Sequence, residues 1–209
     1  MPGSDNTSDM ELPTTTVIDL LRHGEVEGGD VFRGSTDDKL SDDGWQQMQD
    51  ALENISGWDV MISSPLQRCC EFAESLAEEE GLNLRINDQF QEIHFGDWEG
   101  RSPDEILESD AKILQAWWQQ PTKETPPRGE DFQDFRSRVL KAFNQITKKH
   151  EGEHILLITH AGVIRLILMD ILGMQAENMF RLNVDYASFS RLRIYHDQTG
   201  KWGTLIEHG

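Results

Sequence analysis

Residues 155–174 read ILLITHAGVIRLILMDILGM, and how this stretch is divided decides the fold. Its length and apolar character would suit a membrane span. His160, Arg165 and Asp170 interrupt it, however, and the Ala161-Gly162 break follows directly on a β-type run. A buried strand over 154–159, a short loop and a buried helix account for it better. The helix that follows Gly162 is apolar almost all round, which places it centrally, and Gly173 can end it.

Towards the amino end, Val17–Leu21 is a second short apolar run of the kind that forms a buried parallel strand. Asp59–Ser63 is a third candidate and Leu84–Ile86 a weaker fourth. Ser188–Tyr195 and Trp202–Ile206, on either side of a Gln-Thr-Gly turn, read as a hairpin. Helical patterns fill the gaps. Ser41 caps one with Trp45, Met48, Leu52 and Ile55 on one face. Ser64-Pro65-Leu66-Gln67 is spelled as a capping box before the stripe Leu66, Cys69, Cys70, Ala73 and Leu76, and Gly81 stops it. Ser102-Pro103-Asp104-Glu105 repeats that signature before Ile106, Leu107, Leu114, Trp117 and Trp118. Asp131 opens a helix carrying Phe132, Phe135, Val139, Phe143 and Ile146, with Lys148 and Lys149 at its negative end. Strands alternating with helices predict an α/β fold, an α/β/α sandwich with a mainly parallel sheet, whose functional cleft lies outside the carboxyl ends of the strands.

The chain has 209 residues, suited to one domain over 15–209 preceded by a flexible tail at 1–14. Its formal charge of −19 disfavours nucleic acid and anionic lipid as partners. Cys69 and Cys70 are adjacent, and helical neighbours point about 100° apart, so no structural disulfide is expected and a reducing cytoplasm fits. The opening MPGSDNTSDMELPTTT has neither a basic nor an apolar signal region.

Two of the strand candidates end in histidine with glycine close behind: Arg22-His23-Gly24-Glu25 and Thr159-His160-Ala161-Gly162. One such histidine is ordinarily a satisfied residue at a strand end. Two of them, with an arginine beside the first, point to a shared site. Arg68 lies one turn after Ser64-Pro65 and off its helix's apolar stripe, facing the same rim or simply solvent. Arg33-Gly34, in the loop after the first strand, is a further candidate anion contact. Glu92 sits in an irregular stretch, QEIHFGDWEG over 91–100, where a carboxylate matters only if it reaches a leaving group. Together these residue types suit a phosphate monoester. Guanidinium groups fork onto its oxygens, a neutral imidazole can attack phosphorus, and a second imidazole, kept cationic, can stabilise the transferring oxygens. A carboxylic acid can protonate the departing alkoxide. A metal site built on the two histidines ranks last, because the adjacent arginines would repel a cation.

In this order, Arg22-His23-Gly24-Glu25, Ser63-Ser64-Pro65-Leu66-Gln67-Arg68, Glu92 with Phe95-Gly96-Asp97-Trp98-Glu99-Gly100, and Thr159-His160-Ala161-Gly162 resemble the histidine phosphatase (phosphoglycerate mutase-like) superfamily. The resemblance runs from about Val17 to the carboxyl end. It implies His23 as nucleophile, Arg22, Arg68 and His160 as the phosphate pocket, and Glu92 as general acid and base. It also implies Arg33, Gly34 and Ala161 as further substrate contacts, no cofactor and no metal requirement. Phe32–Asp37 matches the family's substrate loop, and Arg128-Gly129-Glu130 resembles a Gly-Gly-Glu signature in which Arg128 replaces a glycine, so a different local turn is expected. Within the family the chain is most similar to the alpha-ribazole phosphatase and fructose-2,6-bisphosphatase-like branch. That similarity implies a small phosphorylated metabolite as partner and hydrolysis, with mutase-type transfer or bare phosphate binding as alternatives.

Overall fold

A computed structural model describes residues 13–198 and 200–209. Most of the tail expected at 1–14 lies outside the described residues, but Thr14 already belongs to the first strand, β1 (Thr14–Arg22). The other elements are α1 (Asp42–Leu52), β2 (Val60–Ser63), α2 (Gln67–Glu80), β3 (Leu84–Ile86), α3 (Pro103–Gln119), α4 (Phe132–Lys149), β4 (His154–Thr159), α5 (Ala161–Leu172), β5 (Phe189–Asp197) and β6 (Gly200–His208). They form one sheet in the order β3-β2-β4-β1-β5-β6. β1 to β4 pair in parallel, and β5 and β6 add an antiparallel edge.

Alternation along the strands divides the interior in two. Ile18 and Leu20 of β1, Ile62 of β2 and Ile155 and Leu157 of β4 pack with α3, α4 and α5. Leu21, Met61, Leu156 and Ile158 face α1 and α2. The molecule is the expected three-layer α/β/α sandwich. Each fully buried aliphatic chain contributes about 1.5–3 kcal/mol of transfer free energy, which is why strands buried on both faces read as unbroken apolar runs. The apolar stretch 155–174 divides between β4 and α5, with His160 at the junction. Among the described residues no helix is long and apolar enough to cross a membrane.

Ser41, Ser102 and Asp131 cap their helices as expected, Ser102 with the reciprocal Glu105 contact. Ser64 does not: α2 begins at Gln67 with Leu66 at its cap and no side-chain cap bond. Ser64 Oγ instead accepts from the Leu66 amide at 3.4 Å and lies 2.7 Å from His160 Nε2, on the adjacent strand end. Arg128 has φ +59°, a left-handed conformation that glycine favours and that a side chain adopts at a cost. Its Nε donates to Asp97 at 2.6 Å.

Strand register brings the motif residues level with one another. Arg22 is level with Thr159, and Ser63 with Ile158. The ladder continues one residue past the strands, through the His23 amide to Thr159 O and the Ser64 amide to Ile158 O, both 3.0 Å. Residues 23, 64 and 160 therefore leave the sheet together at the carboxyl ends of three adjacent parallel strands.

Candidate active site

At that rim the His23 and His160 rings lie 5.2 Å apart, centroid to centroid, inclined at 63°. His23 is 6% exposed, and His160 and Arg68 are wholly buried. His23 Nδ1 is 2.8 Å from its neighbour's carbonyl, Gly24 O. A carbonyl only accepts, so the proton sits on Nδ1 and Nε2 keeps its lone pair. The close turn behind it requires glycine: a Cβ on Gly24 would lie 2.0 Å from Gly44 O, at the start of α1.

Arg68 Nε reaches His160 Nδ1 at 3.3 Å. That contact makes Nδ1 an acceptor, so His160 carries its proton on Nε2 and donates to Ser64 Oγ. Burial, then Arg68, His23 and Arg22, push His160 well below the ordinary imidazole range. The cationic His160 expected from the sequence is thus replaced by a neutral ring. Burial, Arg68 and Arg22 do the same to His23. Positive charge at this rim comes from the guanidinium groups.

Arg22 stacks over the Tyr186 ring at 4.2 Å and donates from Nη1 to Val184 O at 2.9 Å. Its Nε is buried with no hydrogen-bond partner among the described residues. Burial lowers the Arg22 pKa, while Tyr186, Glu92 and Asp185 counter it. Glu92 Oε2 accepts from the Gly162 amide at 2.9 Å and Oε1 from Ile93 N at 3.0 Å. This couples the carboxylate to the first turn of α5, next to His160 and Ala161. A Cβ on Gly162 would sit 2.3 Å from Glu92 Oε1, so the glycine makes room for the carboxylate. Ala161 begins α5, where first-turn amides lack intrahelical acceptors and attract anions.

Two expected substrate contacts are committed elsewhere. The Arg33 guanidinium pairs with Asp38 at 2.6 Å and donates to Gly29 O and Glu27 O. Gly34 gives its amide to Glu99 at 3.1 Å and its carbonyl to Arg68. Both residues build the loop rather than present free donors. Arg68, expected off its helix's own packing, is buried by that loop. It donates to Thr36 O at 2.6 Å and Gly34 O at 2.8 Å.

Several contributors carry only a weak sequence signal. Ser64 stands in the motif that ends at Arg68 but reads there as a cap. Tyr186 and Arg165 are separated from the motifs in the chain; Arg165 Nε donates to Leu182 O at 3.0 Å, and Arg165 helps to line a cavity of about 60 Å³ beside Glu92, with Phe95, Trp117 and Phe180. Arg138 on α4 donates to Gln89 O, Gln91 O and Glu92 O, holding the segment that carries Glu92. It also pairs with Glu130 at 2.6 Å. Only three-dimensional proximity reveals these roles.

An α/β/α sandwich that gathers two neutral imidazoles, two guanidinium groups and a carboxylate at one rim defines a phosphate-handling class of protein. Residues 18–202 match the family described as the histidine phosphatase superfamily (branch 1), and the chain belongs to it. A bifunctional protein of Mycobacterium tuberculosis is 34% identical over 189 residues, which is 88% of this chain and 52% of that protein. The chain thus spans about half the length of the first curated relatives it matches. The adenosylcobalamin/alpha-ribazole phosphatase of Escherichia coli is 29% identical over 179 residues, 84% of this chain and 88% of that one. The solved alpha-ribazole phosphatase of Shigella flexneri superposes with a TM-score of 0.78 at 29% identity, over 92% of this chain and 95% of that one.

Proposed function

We propose that the chain is a phosphomonoesterase that hydrolyses a small phosphate ester through a phosphohistidine on His23. The observation that carries this reading is the tautomer of His23. With its Nδ1 proton held by Gly24 O, the unprotonated Nε2 sits at the rim, 5.2 Å centroid to centroid from the His160 ring and beside two guanidinium groups. In the first step Nε2 attacks phosphorus in line, the P–N bond forms as the ester P–O bond breaks, and Glu92 gives its proton to the departing oxygen. In the second, Glu92 as carboxylate takes a proton from water, whose oxygen displaces His23 and releases inorganic phosphate. Arg22, Arg68 and the first turn of α5 hold the dianion and neutralise charge as it spreads over the non-bridging oxygens. His160 is a neutral ring held in place by Arg68 and Ser64, and it walls the pocket beside His23.

The alpha-ribazole phosphatases among its relatives support alpha-ribazole phosphate as the substrate to test first. The chain is assayed for phosphate release over a panel of phosphorylated metabolites, with a phosphoglycerate included and its isomers resolved. Phosphate release and a trapped, acid-labile phosphohistidine that His23→Ala abolishes are the expected results. Isomer formation without free phosphate would assign transfer in place of hydrolysis, and phosphate binding without turnover would leave a binding module.

A further inference from the structure

Glu99 takes part in no step of the proposed reaction, yet it is the most heavily bonded carboxylate around the site. Its Oε1 accepts from Ser35 N at 3.0 Å and Phe95 N at 2.9 Å, and its Oε2 from Thr36 N at 3.0 Å and Thr36 Oγ1 at 2.5 Å. The Gly34 amide is shared between both oxygens at 3.1 Å. Three consecutive amides of the loop after β1 thus converge on one side chain that lies more than sixty positions further along the chain. The opposite side of the same loop holds Arg68. Thr36 O and Gly34 O take its Nη1 and Nη2 at 2.6 and 2.8 Å, with Arg33 O at 3.5 Å. Arg68 Nε then fixes His160. A chain of hydrogen bonds therefore runs from Glu99 through the loop to Arg68 and on to His160.

We infer that Glu99 is a positioning residue: it latches loop 34–36 so that the loop carbonyls aim the Arg68 guanidinium at the phosphate. Three features support the latch. Burial pushes the Glu99 carboxyl up, but the Thr36 hydroxyl and the Phe95, Thr36 and Ser35 amides outweigh it, so the group sits below its ordinary value and is ionised. Every partner is a donor, so an acceptor with two full lone-pair sets is what the nest requires. The loop also has little room to adjust, since a Cβ on Gly34 would meet Ile93 O at 2.0 Å.

Glu99→Gln tests this directly, because one amide nitrogen would then face the loop's N–H donors. The inference rests on the proposed phosphate pocket, so the first readout is one that needs no turnover. Affinity for orthovanadate and for inorganic phosphate is measured by calorimetry on wild type and variant, alongside KM, kcat and the melting temperature. Glu99→Gln is expected to weaken both anions and raise KM about tenfold or more, with a smaller effect on kcat. Thr36→Val, which removes only the hydroxyl contact, is expected to move the same quantities in the same direction by less. Unchanged anion affinity in a folded Glu99→Gln protein overturns the inference. If that variant does not fold, unchanged affinity in Thr36→Val overturns it. Wild type that binds anions but releases no phosphate defeats the catalytic reading while the affinity ratio still decides the role of Glu99. Wild type that binds neither anion defeats both.

Discussion

At the scale of single residues, Gly162 separates stability from chemistry. It sits in the first turn of α5, where alanine is the better helix former by about 1 kcal/mol. The atom a new Cβ would strike is the tip of the Glu92 side chain, 2.3 Å away, and no backbone needs to move. Gly162→Ala is therefore expected to keep or slightly raise the melting temperature while displacing the carboxylate. A loss of about tenfold to a hundredfold in kcat/KM is the expected scale for a misplaced general acid. Thermal unfolding paired with steady-state kinetics checks this, and equal loss of both would refute it. His23→Ala belongs beside it, with loss of the phosphohistidine and of turnover.

At the scale of elements, β1 carries the rim and also a buried charge cluster further down the strand. Asp19, fully buried, accepts from Arg191 at 2.7 and 2.8 Å, from Trp58 at 2.8 Å, and lies 2.8 Å from His154 Nε2. Burial raises its pKa, but the hydrogen bonds from Arg191, His154 and Trp58 outweigh this and leave it lowered. Its stabilisation is complete above the unfolded value of 3.8 and is lost as pH falls through the lower folded value. Asp19→Ala strands three partners, and urea denaturation should show a loss of about 3–5 kcal/mol. Because the cluster lies away from the rim, turnover per folded molecule should be retained. Ser102→Ala, which removes the cap of α3, should cost about 1 kcal/mol in the same measurement.

At the scale of the whole molecule, two terms set the response to solution conditions. His23 and His160 are held well below the ordinary imidazole value of 6.5, chiefly by burial. Both are neutral in the fold and unfolded chains bind protons first, so stability is full above 6.5 and declines as pH drops towards the folded values. Two such groups give a slope of up to about 2.7 kcal/mol per pH unit. A melting series from pH 7.5 down to 5 should show this, and His160→Asn should flatten it. A net charge of −19 adds self-repulsion, so sodium chloride should raise the melting temperature. No rise between low and moderate salt would contradict that.

Amphipathic period, caps and glycine stops are local signals, and they sufficed for the order of elements, the three-layer class and the two His-Gly strand ends. They also placed a strand-to-helix boundary inside 155–174, but Ala161 and Gly162, expected as a loop, form the first turn of α5, and His160 alone is the junction. What the local pattern could not carry is pairing across the sheet. Ser64 was spelled like a cap and became the partner of His160, Arg33 was drawn into its own loop, and His160 lost the charge expected of it. Each outcome depends on groups distant in the chain but close in space, and on a dielectric that exists only once the core has closed. Side-chain identity chose the chemistry available at the rim; burial and register decided which protons and charges remain there.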